Sequence, residues 1–316
     1  MIPTFDDVRA AQRRIEPCLR ATPVYPYPAL GDLVGADVWV KHENHQPVGA
    51  FKVRGGVNLV SQLSDEERAR GLVSASTGNH GQSIAYAARL FDVPARIYVP
   101  EGANPVKVAA IRALGAEVVS HGRNFDEARE ECERVAAEDG YRYVHSANEP
   151  HLIAGVATIT LEIFEAVPDV DVVIVPIGGG SGAAGASIVA SALRPETQVI
   201  GVQSEEAPAA YRSWRERRLV EDVNVTFGEG LATGVGFELP QRILAEFLDD
   251  FVLVADDEIR EAMVAMIEGT RNLVEAAGAA PLAAARKLRD RLARKRVVLI
   301  CSGGNVSLDQ LRELLA

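Results

Sequence analysis

DVVIVPIGGGSGAAGAS, residues 171 to 187, runs from an apolar strand through Gly178, Gly179, Gly180, Ser181 and Gly182 into an alanine-rich helix. Glycines let backbone N–H groups converge on one point, Ser181 adds a hydroxyl donor, and a helix amino end adds a positive dipole. Together they make a cup for a phosphate. The other reading of the same residues is a plain flexible turn. Neither a Gly-Lys-Ser/Thr ending nor an acidic residue closing the next strand, TQVIGVQ, is present, which weakens the nucleotide and dinucleotide readings.

Outward from this junction, strand-like and helix-like pieces alternate. Towards the amino end stand GLVSAS then NHGQSIAYAARLF, ARIYVP then NPVKVAAIRALG, and AEVVS then NFDEAREECERV. HLIAGVATITLEIFEAV precedes the glycine strand, and RVVLICS with VSLDQLRELL follows near the carboxyl end. Such alternation predicts parallel sheets covered by helices. Earlier still, Thr4 and Asp7 mark a helix start, Phe5, Val8, Ala11, Ile15 and Leu19 recur at helical spacing, and ADVWVKHE reads as a strand. The fold class is therefore α/β, with two open twisted-sheet units meeting at a cleft. The rhythm assigns residues 1–47 and 148–316 to a large unit and 48–147 to a small one.

Composition narrows the function. With 316 residues, 47% of them hydrophobic, the chain can bury a substantial core. A formal charge of −11 argues against a nucleic-acid or anionic-membrane surface. Cys18, Cys132 and Cys301 are too scattered for a disulfide framework or a structural zinc site, which fits a reducing cytoplasm. The amino terminus lacks a signal core, and no apolar run approaches the ~20 residues that span a bilayer. The expectation is a soluble, cytoplasmic protein acting on a small molecule.

Three other stretches carry polar chemistry. GAFKVRGG, residues 49 to 56, sets Lys52 between Phe51 and Val53 at a helix start. SASTGNHGQS, residues 74 to 83, crowds Ser76, Thr77, Gly78, Asn79 and His80 at a strand-to-helix junction. That set suits a carboxylate, or merely caps a helix. ICSGGNVS, residues 300 to 307, places Ser302 at the carboxyl end of a strand, the end where open parallel sheets bind ligands. His42 and His45 lack a nearby third ligand for a metal, and REEC, residues 129 to 132, reads as a solvated helix face.

GAFKVRGG, STGNHGQS, GGGSG and CSGGNVS, in this order, resemble the threonine/serine dehydratase and serine racemase group of pyridoxal-phosphate enzymes, which share the fold of the tryptophan synthase β-subunit. The resemblance covers nearly the whole chain and implies a fold type II enzyme with pyridoxal 5'-phosphate in the interdomain cleft. It implies that Lys52 forms the Schiff base with the cofactor and that Gly178, Gly179, Gly180, Ser181 and Gly182 hold its phosphate. Asn79 is implied to bond the ring hydroxyl, Ser302 to face the ring nitrogen, Phe51 to pack beside the ring, and Ser76 to His80 to bind the substrate carboxylate. Ala50 stands where a hydroxyl is often found, so that role is absent.

The implied activity is an ammonia-lyase turning a β-hydroxy amino acid such as L-threonine or L-serine into a 2-oxo acid and ammonia. Burial makes a lysine amine nucleophilic, and the freed amine then serves as α-proton base. An amino-acid racemase is the alternative, because Thr77 keeps a hydroxyl where the racemase branch has a serine. A 3-hydroxyaspartate dehydratase is another, and it would need a cationic partner such as Arg54 or His80. Thr233 replaces the aspartate of an Ala-Asp-Gly stretch near which racemase-like members bind a divalent cation, so no metal is expected although Glu229 remains. No carboxy-terminal regulatory domain is expected, and a homodimer is expected from the resemblance alone.

Overall fold

The computed structural model describes residues 1–315. Ten strands form two sheets: β1 (Val24–Pro26), β2 (Asp37–His42), β3 (Leu72–Ala75), β4 (Ala95–Val99), β5 (Glu117–Ser120), β6 (Arg142–Tyr143), β7 (Val172–Pro176), β8 (Gln198–Ser204), β9 (Asp250–Val254) and β10 (Arg296–Cys301). The larger sheet has the order β1-β2-β10-β7-β8-β9 and the smaller β5-β4-β3-β6. Every pairing is parallel except β1 with β2. The smaller sheet is contiguous in the chain and interrupts the larger one between β2 and β7.

Register brings the motifs to one edge. β10 lies between β2 and β7, with Cys301 opposite His42 and Leu299 opposite Ile174. The turns that follow β7 and β10 therefore emerge side by side at the carboxyl edge, where parallel sheets of this kind bind ligands. One face of the sheet is covered by the helices Pro150–Ala166 and Ser181–Leu193, and the other by Asp256–Thr270 and Ala276–Lys287. A further core joins the helix Lys52–Val60 to the helix Asn79–Leu90 and the smaller sheet.

The amino-terminal helix Phe5–Ile15 carries the reciprocal Thr4–Asp7 cap that its sequence predicts. Helix Ala276–Lys287 escapes a reading by pattern, since Gly278 and Pro281 interrupt an alanine-rich stretch that is buried on all sides. The REEC stretch is a correction: Cys132 is fully buried beneath Val73, Ala75 and Tyr98, so only its charged neighbours form a solvated face.

Candidate active site

Lys52 is the first residue of its helix, and the chain just before it is stitched to the turn after β10. Phe51 N–H donates to the Ser302 carbonyl at 2.9 Å, and Ala50 bridges Gly303. Behind it, Ser83 Oγ donates to the Lys52 carbonyl at 2.6 Å. The helix is anchored by Arg54, whose guanidinium is buried between Glu43 and Glu162, at 2.7 Å and 2.6 Å.

The Lys52 amine donates to the Ser146 carbonyl at 3.2 Å and to Ser181 Oγ at 3.0 Å. Ser146 is presented by His145, whose Nδ1 accepts the N–H groups of Ala147 and Asn148, each at 3.0 Å. Among the described residues no carboxylate offsets the burial of the amine, which draws its pKa down to about 8. Phe51 flanks it, with Lys52 Nζ 5.3 Å from the ring centroid.

Ser181 opens the helix that follows the glycine loop, so the lysine and the loop share one cleft. Gly180 adopts φ +88°, and a Cβ on Gly178 would lie 2.2 Å from the Gly230 carbonyl oxygen, so side chains are barred from both positions. Phe51 packs on Gly182, and Thr233 Oγ1 donates to the Gly178 carbonyl at 3.4 Å. Among the described residues the N–H groups from Gly178 to Ala183 meet no backbone carbonyl, which leaves a row of donors at a helix amino end.

The loop after β3 faces the same edge. Ser76 is buried and accepts the Gly78 N–H at 3.2 Å, while Thr77, Gly78 and Asn79 are half-buried at the start of the helix Asn79–Leu90. Ser302 is 3% exposed and lies beside Phe51 through the backbone bond already described.

Two sequence expectations are corrected. Arg54 is spent on Glu43 and Glu162, so it does not face a ligand. The His80 imidazole turns inward, with Nε2 2.9 Å from Ser74 Oγ and Nδ1 buried without a partner; burial, with Lys52 nearby, pushes its pKa down to about 3. A neutral, enclosed ring cannot pair with a carboxylate, so only the backbone of His80 is left for that loop. Glu229 pairs with Lys107, and no group of three or more His, Cys, Asp or Glu able to hold a metal occurs among the described residues. His42 and His45 stack at 4.9 Å and turn to Tyr27 and Asn272.

Sequence reasoning missed Glu275 and Asn305. Asn305 lies within the quoted ICSGGNVS stretch, whereas Glu275 precedes an alanine-rich segment with no pattern to single it out. The two meet at Asn79, which donates to Glu275 Oε1 at 2.8 Å and accepts from Asn305 Nδ2 at 2.7 Å.

A deprotonation-prone lysine, a side-chain-free cradle of N–H donors and a flanking aromatic ring fit a phosphorylated aromatic aldehyde. Fold and site thus define an α/β enzyme with a buried amine of lowered pKa and a row of free N–H donors in one cleft. Residues 15–303 match the pyridoxal-phosphate dependent enzyme family, and the chain belongs to it. It is 37% identical over 313 residues to the L-threonine ammonia-lyase of Thermotoga maritima, covering 99% of this chain and 78% of that one. It is 35% identical to the L-threo-3-hydroxyaspartate ammonia-lyase of Saccharomyces cerevisiae, covering 100% and 97%. Serine racemase from Dictyostelium discoideum superposes with a TM-score of 0.92 at 33% identity, covering 97% of this chain and 99% of that one.

Proposed function

We propose that this chain is a pyridoxal-phosphate dependent ammonia-lyase that converts a β-hydroxy amino acid, L-threonine or L-serine, into a 2-oxo acid and ammonia. The observation that carries the reading is the contact of Lys52 Nζ with Ser181 Oγ, which sets an amine of lowered pKa at the mouth of the glycine cradle.

When bound, pyridoxal phosphate supplies a conjugated ring that draws electrons from the α-carbon of an attached amino acid. Lys52 would hold the cofactor's aldehyde carbon, and Gly178, Gly179, Gly180, Ser181 and Gly182 its phosphate. The free N–H groups at the start of the helix Asn79–Leu90, with the Ser76 and Thr77 hydroxyls, would bind the substrate carboxylate. Lys52, whose pKa of about 8 lies near working pH, would serve as the base for the substrate's α-proton. Asn79 would donate to the ring oxygen and Ser302 would face the ring nitrogen. A hydroxyl there would hold a proton less firmly than a carboxylate, which would favour elimination of the α-proton and the β-hydroxyl together as water over a long-lived charge at the α-carbon. The enamine so released hydrolyses to the 2-oxo acid and ammonia.

The division into residues 48–147 and residues 1–47 with 148–316, of which residue 316 lies outside the described residues, belongs to the same proposal, as do a homodimeric assembly and a cytoplasmic location. No described helix is long and apolar enough to cross a membrane. The test is to offer the cofactor-loaded protein L-threonine, L-serine and 3-hydroxyaspartate, and to assay 2-oxo acid, ammonia and the D-enantiomer together. Equal amounts of 2-oxo acid and ammonia are expected, abolished in Lys52→Ala together with the visible absorbance of the attached cofactor. D-enantiomer without 2-oxo acid would overturn the reading in favour of a racemase that uses Thr77 on the opposite face.

A further inference from the structure

Glu275 flanks the amino end of the helix Ala276–Lys287 and takes no part in the reaction derived above. Its carboxylate stands where three segments cross. Oε1 accepts from Asn79 Nδ2 at 2.8 Å, Oε2 accepts the Asn305 N–H at 3.2 Å, and the Glu275 N–H donates to the Gly303 carbonyl at 3.1 Å. A Cβ on Gly303 would lie 2.4 Å from Oε1, so the carboxylate is packed directly against the turn that carries Ser302. Asn305 completes the circuit, with Nδ2 donating to Asn79 Oδ1 at 2.7 Å and to the Val48 carbonyl at 2.8 Å.

The two ends of the Asn79 amide are therefore held by partners of opposite kind. A primary amide has two N–H donors and one acceptor oxygen. Glu275 takes one N–H, Asn305 fills the oxygen, and the remaining N–H is left with a fixed direction. Turning the amide over would face oxygen to carboxylate and NH2 to NH2, losing both contacts at once. Without the clamp, Asn79 could present either end to a ligand; with it, the amide is held in one orientation with an N–H free to donate.

We propose that Glu275 is a positioning residue: with Asn305 it fixes Asn79 as a donor to the hydroxyl oxygen of the cofactor ring and so holds that oxygen ionised. This rests on the cofactor reading given above. The clamp requires Glu275 to be an acceptor on both oxygens. Burial raises its pKa to about 7, with Glu229 adding to the rise and Asn79, Lys107 and the Asn305 N–H opposing it. The Cys301 thiol faces it too, and burial first, then the Glu275 charge, push that thiol's pKa up. Protonation puts a hydrogen on one oxygen and releases one side of the clamp as pH falls through neutrality.

The experiment is an absorbance titration of the loaded enzyme across the neutral range, in wild type, Glu275→Gln, Glu275→Asp and Asn305→Ala. In wild type the visible band of the ionised ring oxygen gives way to the near-ultraviolet band of its neutral form with a midpoint near pH 7. Glu275→Gln, which leaves Lys52 and the glycine loop intact, loads cofactor but shows a shifted, pH-independent band ratio. Its kcat falls about ten- to hundredfold, as expected for a lost hydrogen bond to a charged group, with little change in KM. Asn305→Ala shifts the ratio in the same direction, and Glu275→Asp keeps part of the titration, so the inference stays testable where Glu275→Gln fails to fold. Wild-type spectra and pH course in Asn305→Ala, together with either Glu275→Gln or Glu275→Asp, would overturn it while leaving the cofactor reading intact. Absence of any Lys52-dependent visible band in wild type would sink that reading and this inference with it.

Discussion

Lys41 and Lys52 are both drawn out of water, and they differ in what meets them there. Lys41, on β2, is fully buried; its amine donates to the Thr22 carbonyl at 2.8 Å, pairs with Glu162 and lies 4.0 Å from Glu43. Burial lowers its pKa, and the two carboxylates pull it back. Lys52 is half-buried with only two neutral oxygens for partners, and nothing opposes the drop. A compensated lysine stays a cation and serves the fold, whereas an uncompensated one is a latent nucleophile. Arg54, two residues beyond Lys52 on the same helix, links the two, since it fastens the Lys52 helix to the compensated cluster.

The sharpest way to break the comparison is to uncompensate the cluster. Arg54→Met leaves Lys41 as the one cation facing both Glu43 and Glu162 and is expected to destabilise the fold by about 3–5 kcal/mol, measured by urea unfolding. The pH course separates this from a simple packing loss. Burial pushes the Glu43 pKa up, but Arg54 and Lys41 outweigh it, so its folded value lies below its ordinary 4.5. Wild type therefore holds this contribution above pH 4.5 and loses it as pH falls through the folded value. Without Arg54, two buried carboxylates share the single cation Lys41, so acid neutralises the one in excess and the deficit of the variant should narrow on acidification. A deficit independent of pH would mean that the cluster is held by packing alone.

Lys52 predicts the opposite response. Its folded pKa of about 8 lies below the ordinary 10.5, so the unfolded chain holds a proton that the folded one sheds between those values. Stability contributed at this site therefore rises as pH climbs from 8 to 10.5, and below 8 the folded state carries the full penalty. Lys52→Met should stabilise the cofactor-free protein below pH 8 by at most about 3 kcal/mol, given partial solvent access. The gap should close by pH 10.5. Thermal unfolding at three pH values checks it, and a destabilised Lys52→Met would show that the amine is compensated after all. An amine that weakens its own fold is the exchange of stability for function that the role proposed for Lys52 would account for.

The difference between these lysines also marks what the sequence alone could convey. Strand and helix alternation, and the glycine turn after β7, are local signals, and they carry the fold class and the grouping of the Lys52, Asn79 and Ser302 stretches at one edge. Burial is not local. ADVWVKHE and GAFKVRGG each show one lysine in an apolar setting, and only the fold reveals that Glu162, 121 residues from Lys41, answers the first and that no carboxylate answers the second. Arg54 and His80 looked available to a ligand for the same reason, since burial rather than spacing turns them to Glu43 and Glu162 and to Ser74 and Val144. Glu275 stayed invisible because its meaning arises from Asn79, 196 residues away.

The smallest expected effect comes from an ion pair of a third kind, formed across the mouth of the cleft. Lys107, on the helix Pro105–Ala113 beside the smaller sheet, pairs with Glu229 in the turn whose next residue, Gly230, touches Gly178 of the glycine loop. Lys107 is 16% exposed and Glu229 52%, so water screens this pair far more than the Arg54 cluster. Such a pair is worth about 1 kcal/mol at most and weakens with salt. Lys107→Met should accordingly leave the unfolding midpoint almost unchanged and raise substrate KM by no more than about fivefold. Raising ionic strength should move wild-type KM towards that of the variant and leave the variant's own value flat. A wild-type KM indifferent to salt would mean that the pair merely decorates the rim. A large loss of stability would place Lys107 with Lys41, as a charge that the fold depends on.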